Sequence, residues 1–252
     1  MNQQYETLAG VYDNFMEEVP YEKWLDFLQQ QLQTHELPPP KKILDLCCGT
    51  GTMTLSLANL GYEMTGVDLS EDMLAMAQKK VSDTPQTIDF FQMDMTELYL
   101  PKKYDAVICC CDGLNYCCED GELFDTFSGV ANALTENGLF LFDMNTEYKF
   151  KEVLGNQEHT NIDETSAYFW ANEYDDDEKI NTYYVNLFLE TENGLYERQE
   201  ECHYERAYTI EEISENLQKA SFEIIDIFSD YEKKAVHETT ERFVFIVKKR
   251  RI

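Results

Sequence analysis

An apolar run, Ile43-Leu44-Asp45-Leu46-Cys47-Cys48, breaks into the turn Gly49-Thr50-Gly51, and a second apolar run ends in Val67-Asp68 after one short helical stretch. A parallel βαβ unit holds an adenosine-containing ligand with this layout: glycines let the backbone approach closely, and the acid ending the second strand takes the ribose hydroxyls. The third glycine of G-x-G-x-x-G is replaced by Thr54, which weakens a pyrophosphate ligand, and no Gly-Lys-Ser/Thr follows, which excludes a P-loop. Asp45, four residues before Gly49, makes little sense beside a pyrophosphate and suits a cationic group on the ligand. Asp94 ends a third apolar run, Cys111-Asp112 a fourth and Asp143 a fifth. Ligands in open α/β sheets lie beyond the carboxyl ends of the strands, so these residues are expected to converge there.

The elements that must position them follow from periodicity. Residues 5–16 read as a helix with Tyr5, Leu8, Tyr12, Phe15 and Met16 on one face, and 21–33 as a second with Trp24, Leu25, Leu28 and Leu32 inward. Pro38-Pro39-Pro40 then stops the helix before a strand over Lys42–Leu46. Further strands are expected at about 62–67, 88–93, 106–111 and 139–144, with a helix over 52–60, one capped by Ser70, and one carrying Leu123, Phe127, Val130 and Leu134 that ends at Asn137-Gly138. From about 165 to 205 the helical period is lost. Tyr183, Val185, Leu187 and Leu189 alternate with Tyr184, Asn186, Phe188 and Glu190, and turn signals at Asp175-Asp176-Asp177 and Asn193-Gly194 bracket them, which predicts about three antiparallel strands. Thr209-Ile-Glu-Glu212 opens another helix with a capping box, and strands close the chain at 222–228 and 242–248. The expected fold is α/β: a doubly wound seven-stranded mostly parallel sheet, its last strand antiparallel, with an inserted small antiparallel β lid. Leading helices would occupy 1–37, the core 38–150 and 205–252, and the lid 151–204.

Four ordered motifs carry a resemblance to a known family. Ile-Leu-Asp45-Leu-Cys-Cys-Gly49-Thr-Gly51 resembles motif I of the class I S-adenosylmethionine-dependent methyltransferases, with Cys47 where the first motif glycine usually stands. Gly66-Val-Asp68-Leu-Ser is similar to the strand-two acid of that family, Gln92-Met-Asp94-Met to its strand-three acid, and Tyr104-Asp105-Ala-Val-Ile to its strand-four motif. The leading segment Leu8-Ala-Gly-Val-Tyr12 through Trp24 resembles small bacterial members. The resemblance implies S-adenosyl-L-methionine as cofactor. It puts Asp68 and Leu69 at the ribose, Asp94 and Met95 at the adenine, and Cys47, Cys48, Gly49 and Gly51 at the methionine portion. Asp45 would orient the ammonium, Tyr12 cover the sulfonium end, and Cys111 and Asp112 meet the cofactor from strand four.

Methyl transfer is an in-line displacement at an activated sulfonium methyl, so the protein mainly positions the nucleophile and excludes water. A base is needed only for a protonated acceptor, and Tyr116, Asp143 and His203 are the candidates. Aromatic residues of the insertion could line an acceptor pocket or form a homodimer contact. The chain carries 49 Asp and Glu against 20 Lys and Arg, a net charge of −29, which disfavours nucleic acid and anionic lipid and leaves a small-molecule acceptor as the expected partner. A cofactor-binding interaction module without catalysis is the competing reading. No segment nears the length of a membrane span and the first residues lack signal-peptide character, so a cytoplasmic protein is expected. The eight cysteines form no C-x-x-C pair and no metal site is expected. Convergence of Cys47-Cys48 with Cys109–Cys111 beside the cofactor would make cofactor binding sensitive to thiol reagents.

Overall fold

The apolar runs form strands and the amphipathic stretches pack on both faces of the sheet they build. The computed structural model describes residues 8–17, 19–155, 157–162, 166–191 and 193–250. In chain order its elements are α1 (Tyr12–Phe15), α2 (Tyr21–Thr34), β1 (Lys42–Leu46), α3 (Thr52–Asn59), β2 (Glu63–Asp68), α4 (Glu71–Ser82), β3 (Asp89–Gln92) and β4 (Tyr104–Cys109). There follow α5 (Glu122–Ala133), β5 (Leu134–Asn145), β6 (Glu158–Ile162), β7 (Ser166–Asp175), β8 (Ile180–Glu190), β9 (Tyr196–Arg206), α6 (Ile210–Lys219), β10 (Phe222–Ser229) and β11 (Arg242–Lys249).

The main sheet has seven strands in the order β10-β11-β5-β4-β1-β2-β3. β1 pairs in parallel with β2 and β4, β2 with β3 and β4 with β5, while β11 runs antiparallel between β5 and β10. Strand order reverses between β1 and β4, so the crevice beyond their carboxyl ends is the place where this sheet can take a ligand. Close packing at that edge needs Gly66, where a Cβ would lie 2.6 Å from the Phe90 ring and 2.9 Å from the Cys48 sulfur.

One core layer gathers Leu44, Leu46, Phe127, Phe140, Phe142 and Phe245 under α5 and α6; the other gathers Trp24, Leu28, Leu32, Ile43, Leu57 and Ile246 under α2 and α3. Two local signals hold as read. Ser70 caps α4 by accepting from the Met73 amide at 3.2 Å, and Thr209 and Glu212 form the reciprocal capping box of α6.

The insertion is a separate four-stranded antiparallel meander, β6-β7-β8-β9, with β6 beyond the three strands expected. β6 carries Glu158, Thr160 and Asn161 and lies almost wholly exposed at the sheet edge, so it has no apolar alternation to read. The leading helix also differs: a short 3-10 turn, Leu8–Gly10, precedes the single turn of α1, and Tyr5 lies outside the described residues. Asn137-Gly138 falls inside β5 and not between elements. The β4–β5 register jumps from Tyr104↔Leu134 to Ala106↔Leu139, so the chain bulges there, with Asn137 at φ +61°. No helix among the described residues is long and apolar enough to cross a membrane.

Candidate functional site

The turn after β1 is built on three left-handed residues, Cys47 (φ +56°), Gly49 (+53°) and Gly51 (+74°). The two glycines serve different ends. A Cβ at Gly51 would lie 3.0 Å from Ala77 Cβ, so this glycine lets α4 pack on the turn, whereas a Cβ at Gly49 would meet nothing within 4 Å and faces open space. The Gly49 amide donates to Asp68 Oδ2 at 2.8 Å and the Ser70 amide to Oδ1 at 2.9 Å, which locks the carboxylate at the end of β2. Burial pushes the Asp68 carboxyl upward against these amide bonds, and Leu69 beside it is 62% exposed.

Asp45 is 2% exposed and takes the Thr54 hydroxyl at 2.5 Å; burial pushes its carboxyl up to about 7. A buried acid of this kind ionises readily only when a cation arrives, so the position can serve an ammonium. Asp94 accepts the Thr96 amide and hydroxyl through Oδ1, at 2.8 and 2.7 Å, and so caps the 3-10 turn that points Met95 at Cys47 (S to S 3.5 Å). Among the described residues its Oδ2 makes no hydrogen bond, which leaves an acceptor for an exocyclic amine. α1 is tied to the turn by Asp13, which accepts the Thr50 hydroxyl at 2.6 Å and pairs with Lys80 at 2.8 Å, and the neighbouring Tyr12 is half-buried.

The carboxyl end of β4 closes the opposite wall. Cys111 (φ +59°) and Asp112 (+54°) are consecutive left-handed residues, a costly geometry that needs outside support. The Asp112 amide donates to Asp143 Oδ2 at 3.0 Å, and Arg242 bridges the Asp112 carboxylate (2.8 Å) and the Asp143 carboxylate. Tyr231 completes the set by donating to Asp143 Oδ1 at 2.6 Å while stacking on Trp24, over which the Arg242 guanidinium lies at 5.2 Å. Next in the chain, a Cβ on Gly113 would stand 2.7 Å from Cys47 Cβ, so the β1 and β4 ends touch. A cavity of about 610 Å³ opens beside Cys111 and Asp112, between α2 and the β10–β11 loop.

The profile described as "Methyltransferase domain" matches residues 43–138. A protein of Geobacillus sp. (strain WCH70) classed by name among the methyltransferases is 38% identical over 245 residues, 97% of this chain and 99% of its own. One of Bacillus subtilis (strain 168), likewise classed, is 35% identical over 97% of each chain. The crystal structure of an S-adenosylmethionine-dependent methyltransferase from Clostridium acetobutylicum ATCC 824, 33% identical, superposes with a TM-score of 0.87 over 98% of this chain and 99% of its own. This chain is a class I S-adenosylmethionine-dependent methyltransferase.

The methyltransferase brings most of the residues read from its sequence together at the carboxyl ends of β1, β2, β3 and β4: Asp45, Cys47, Cys48, Gly49, Gly51, Asp68, Leu69, Asp94, Met95, Cys111 and Asp112. The thiols also converge. Cys47 shares a hydrogen bond with Cys109, which together with burial pushes the Cys109 thiol well up, and burial does the same to Cys48, Cys110 and Cys111. Cys47 is the half-buried thiol on the turn itself. N-ethylmaleimide is expected to lower S-adenosylmethionine affinity of the reduced enzyme by at least about tenfold, with bound cofactor protecting. Cys47→Gly, which suits the left-handed backbone, should keep affinity and lose the sensitivity; calorimetry before and after treatment checks both, and unchanged affinity after modification of Cys47 counts against it.

Of the three base candidates, Asp143 is fully buried with both oxygens engaged by Arg242, Tyr231 and the Asp112 amide, so it holds the strand ends together and has no direction open to an acceptor. Tyr116 and His203 meet, the hydroxyl 3.3 Å from Nδ1, and His203 Nε2 lies 3.1 Å from Glu201 Oε2. Glu201 was not singled out from the sequence, although Glu201, His203 and Glu205 alternate along β9 and share one buried face, a period-2 stripe of titratable residues that could have flagged it. Glu205 takes the Asn145 amide (3.3 Å) and the Tyr183 hydroxyl (3.2 Å), joining the lid to the core, and burial holds its carboxyl well above the usual range. Arg242 left no local signal, since it lies in an ordinary closing strand.

Proposed function

We propose that this methyltransferase acts on a small-molecule acceptor seated in the 610 Å³ cavity beside Cys111 and Asp112. The cavity carries the reading: it is large enough for a metabolite-sized guest and opens beside Cys111 and Asp112, on the turn that follows β4. When bound, S-adenosylmethionine supplies the activated methyl group. The residues of this chain do the rest. Asp68 and the Gly49 turn hold the ribose, Asp94 and Met95 the adenine edge, and Asp45 ionises against the ammonium. Tyr12 on α1 and the Cys111-Asp112 turn flank the methyl-bearing end, so that the acceptor is presented in line and water is kept out.

An acceptor that arrives protonated needs a path for its proton. The arrangement that satisfies all three side chains puts hydrogen on His203 Nε2, donating to Glu201, and leaves Nδ1 to accept from the Tyr116 hydroxyl. Glu201 thus acts as a positioning residue for the histidine, and Tyr116 ends the 3-10 turn Gly113–Tyr116 that follows β4. The strongly acidic surface supports the absence of a nucleic-acid partner, and the exposed Tyr184 and Tyr196 of the lid suit a homodimer contact.

Val19 lines the cavity from the segment before α2. Val19→Trp is expected to crowd it and cut turnover by at least about tenfold while leaving cofactor affinity within about twofold. Release of S-adenosylhomocysteine across a small-molecule panel gives the rate and calorimetry the affinity. Unchanged turnover in a folded Val19→Trp enzyme would place the acceptor elsewhere.

A further inference from the structure

The wall of the acceptor cavity has a charge pattern at odds with the chain as a whole. Lys23, Lys149, Lys234 and Arg242 line it beside Asp112, Asp230, Glu232 and Glu241, so cations and acids balance there in a protein of net charge −29. Most of these cations are already answered. Glu232 takes both Lys23 (2.6 Å) and Lys234, and Arg242 is held by Asp112 and Asp143. Lys149 is the exception. It starts the π-helical turn Lys149–Leu154 immediately after β5, and its ammonium has no hydrogen bond or ion pair among the described residues. Charged groups around it act only at longer range: Arg242 repels it, while Asp112, Glu241 and Glu205 attract it. Asp112 is spent on Arg242 and Glu205 is engaged by Asn145 and Tyr183, which leaves the exposed Glu241 as the one uncommitted acid among these.

We propose that Lys149 is an anion-recognition residue, and that the acceptor of this methyltransferase carries a carboxylate or phosphate group that pairs with it. This assignment rests on the reading of the cavity as the acceptor site. Desolvation dominates the lysine's surroundings and holds its pKa below the ordinary range, so the ammonium lacks compensation that an incoming anion would supply. A neutral guest would leave that deficit in place. The geometry also fits the reaction: Lys149 lines the same cavity as Cys111 and Asp112, so an acceptor anchored there by its anion can reach the turn that follows β4 with its other end.

Two sources could supply the anion, the acceptor or the carboxylate of the cofactor itself, and calorimetry separates them. Enzyme saturated with S-adenosylhomocysteine is titrated with malonate and with inorganic pyrophosphate, for the wild type, Lys149→Gln, Lys149→Arg and Lys102→Gln, the last an exposed lysine outside the cavity wall. The expected result is binding of at least one anion by the wild type, weakened about tenfold or more by Lys149→Gln, retained by Lys149→Arg and untouched by Lys102→Gln. S-adenosylhomocysteine affinity should stay within about twofold throughout. Equal anion binding by wild type and Lys149→Gln overturns the proposal, as does no anion binding at all by the loaded wild type. A loss of S-adenosylhomocysteine affinity of about tenfold in Lys149→Gln also overturns it, because the lysine would then hold the cofactor's own carboxylate. None of these readings uses turnover, so they stand apart from the Val19→Trp test of the cavity.

Discussion

Asp68→Ala is expected to weaken S-adenosylmethionine binding by at least about a hundredfold and to take turnover down with it. The carboxylate offers charge-assisted acceptors to two ribose hydroxyls, each such bond being worth about 1.5–3 kcal/mol, and every 1.4 kcal/mol is about tenfold in affinity. A second loss adds to the first. The Gly49 and Ser70 amides at 2.8 and 2.9 Å lose their common acceptor, so the turn that faces the ligand loses the group that shapes it. Asp68→Asn, which keeps one acceptor oxygen, should lie between alanine and wild type. Calorimetric titration with S-adenosylmethionine checks the affinities, with thermal melts to show that the variants fold. An alanine variant that binds within about threefold of wild type would remove Asp68 from the cofactor site.

Arg242→Met should cost the enzyme about 3–5 kcal/mol of stability, the usual result of removing one partner from a buried ion pair. Asp143 has no solvent exposure, and without the guanidinium its charge keeps only the Tyr231 hydroxyl and the Asp112 amide. At roughly 2–4 °C per kcal/mol for a chain of this size, the melting temperature should fall by about 6–20 °C. Adding Asp143→Leu should recover a large part of that loss, since an apolar pair removes the stranded charge. Function should not return with stability. The consecutive left-handed residues Cys111 and Asp112 depend on Arg242 and Asp143 for their hold, and they line the cavity. The prediction is therefore a double variant that melts near the wild type yet turns over poorly, read from melts and S-adenosylhomocysteine release. A single variant that loses under about 1 kcal/mol would show the network to be ornamental.

Much of the frame was legible because its causes are local. A strand of Val, Ile and Leu, a glycine turn and an amphipathic helix each announce themselves within a dozen residues, so the order of β1 to β5, the caps at Ser70 and Thr209, and the acids ending β2 and β3 could be read directly. Where local signal was absent or shared, reading failed. The polar edge strand β6 carried no alternation, and Asn137-Gly138 makes the same turn signal whether it ends a helix or bulges a strand.

The chemistry of the site divides in the same way. Sequence by itself determined the βαβ unit that we propose holds the cofactor, because its glycines and Asp68 lie within a stretch of some twenty residues. Only the tertiary structure decided the contacts beyond that unit. Tyr116 and His203 stand 87 positions apart, Asp143 and Arg242 99, and Asp112 and Arg242 130, and no periodicity reaches over such distances. Burial settles the rest: a carboxylate such as Asp143, named as a base by its place at a strand end, becomes an anchor once packing surrounds it with donors, and a lysine that looks ordinary in the chain becomes an unanswered charge in a cavity wall. Charge state and availability depend on what surrounds a group in space, and that is set by the folded whole.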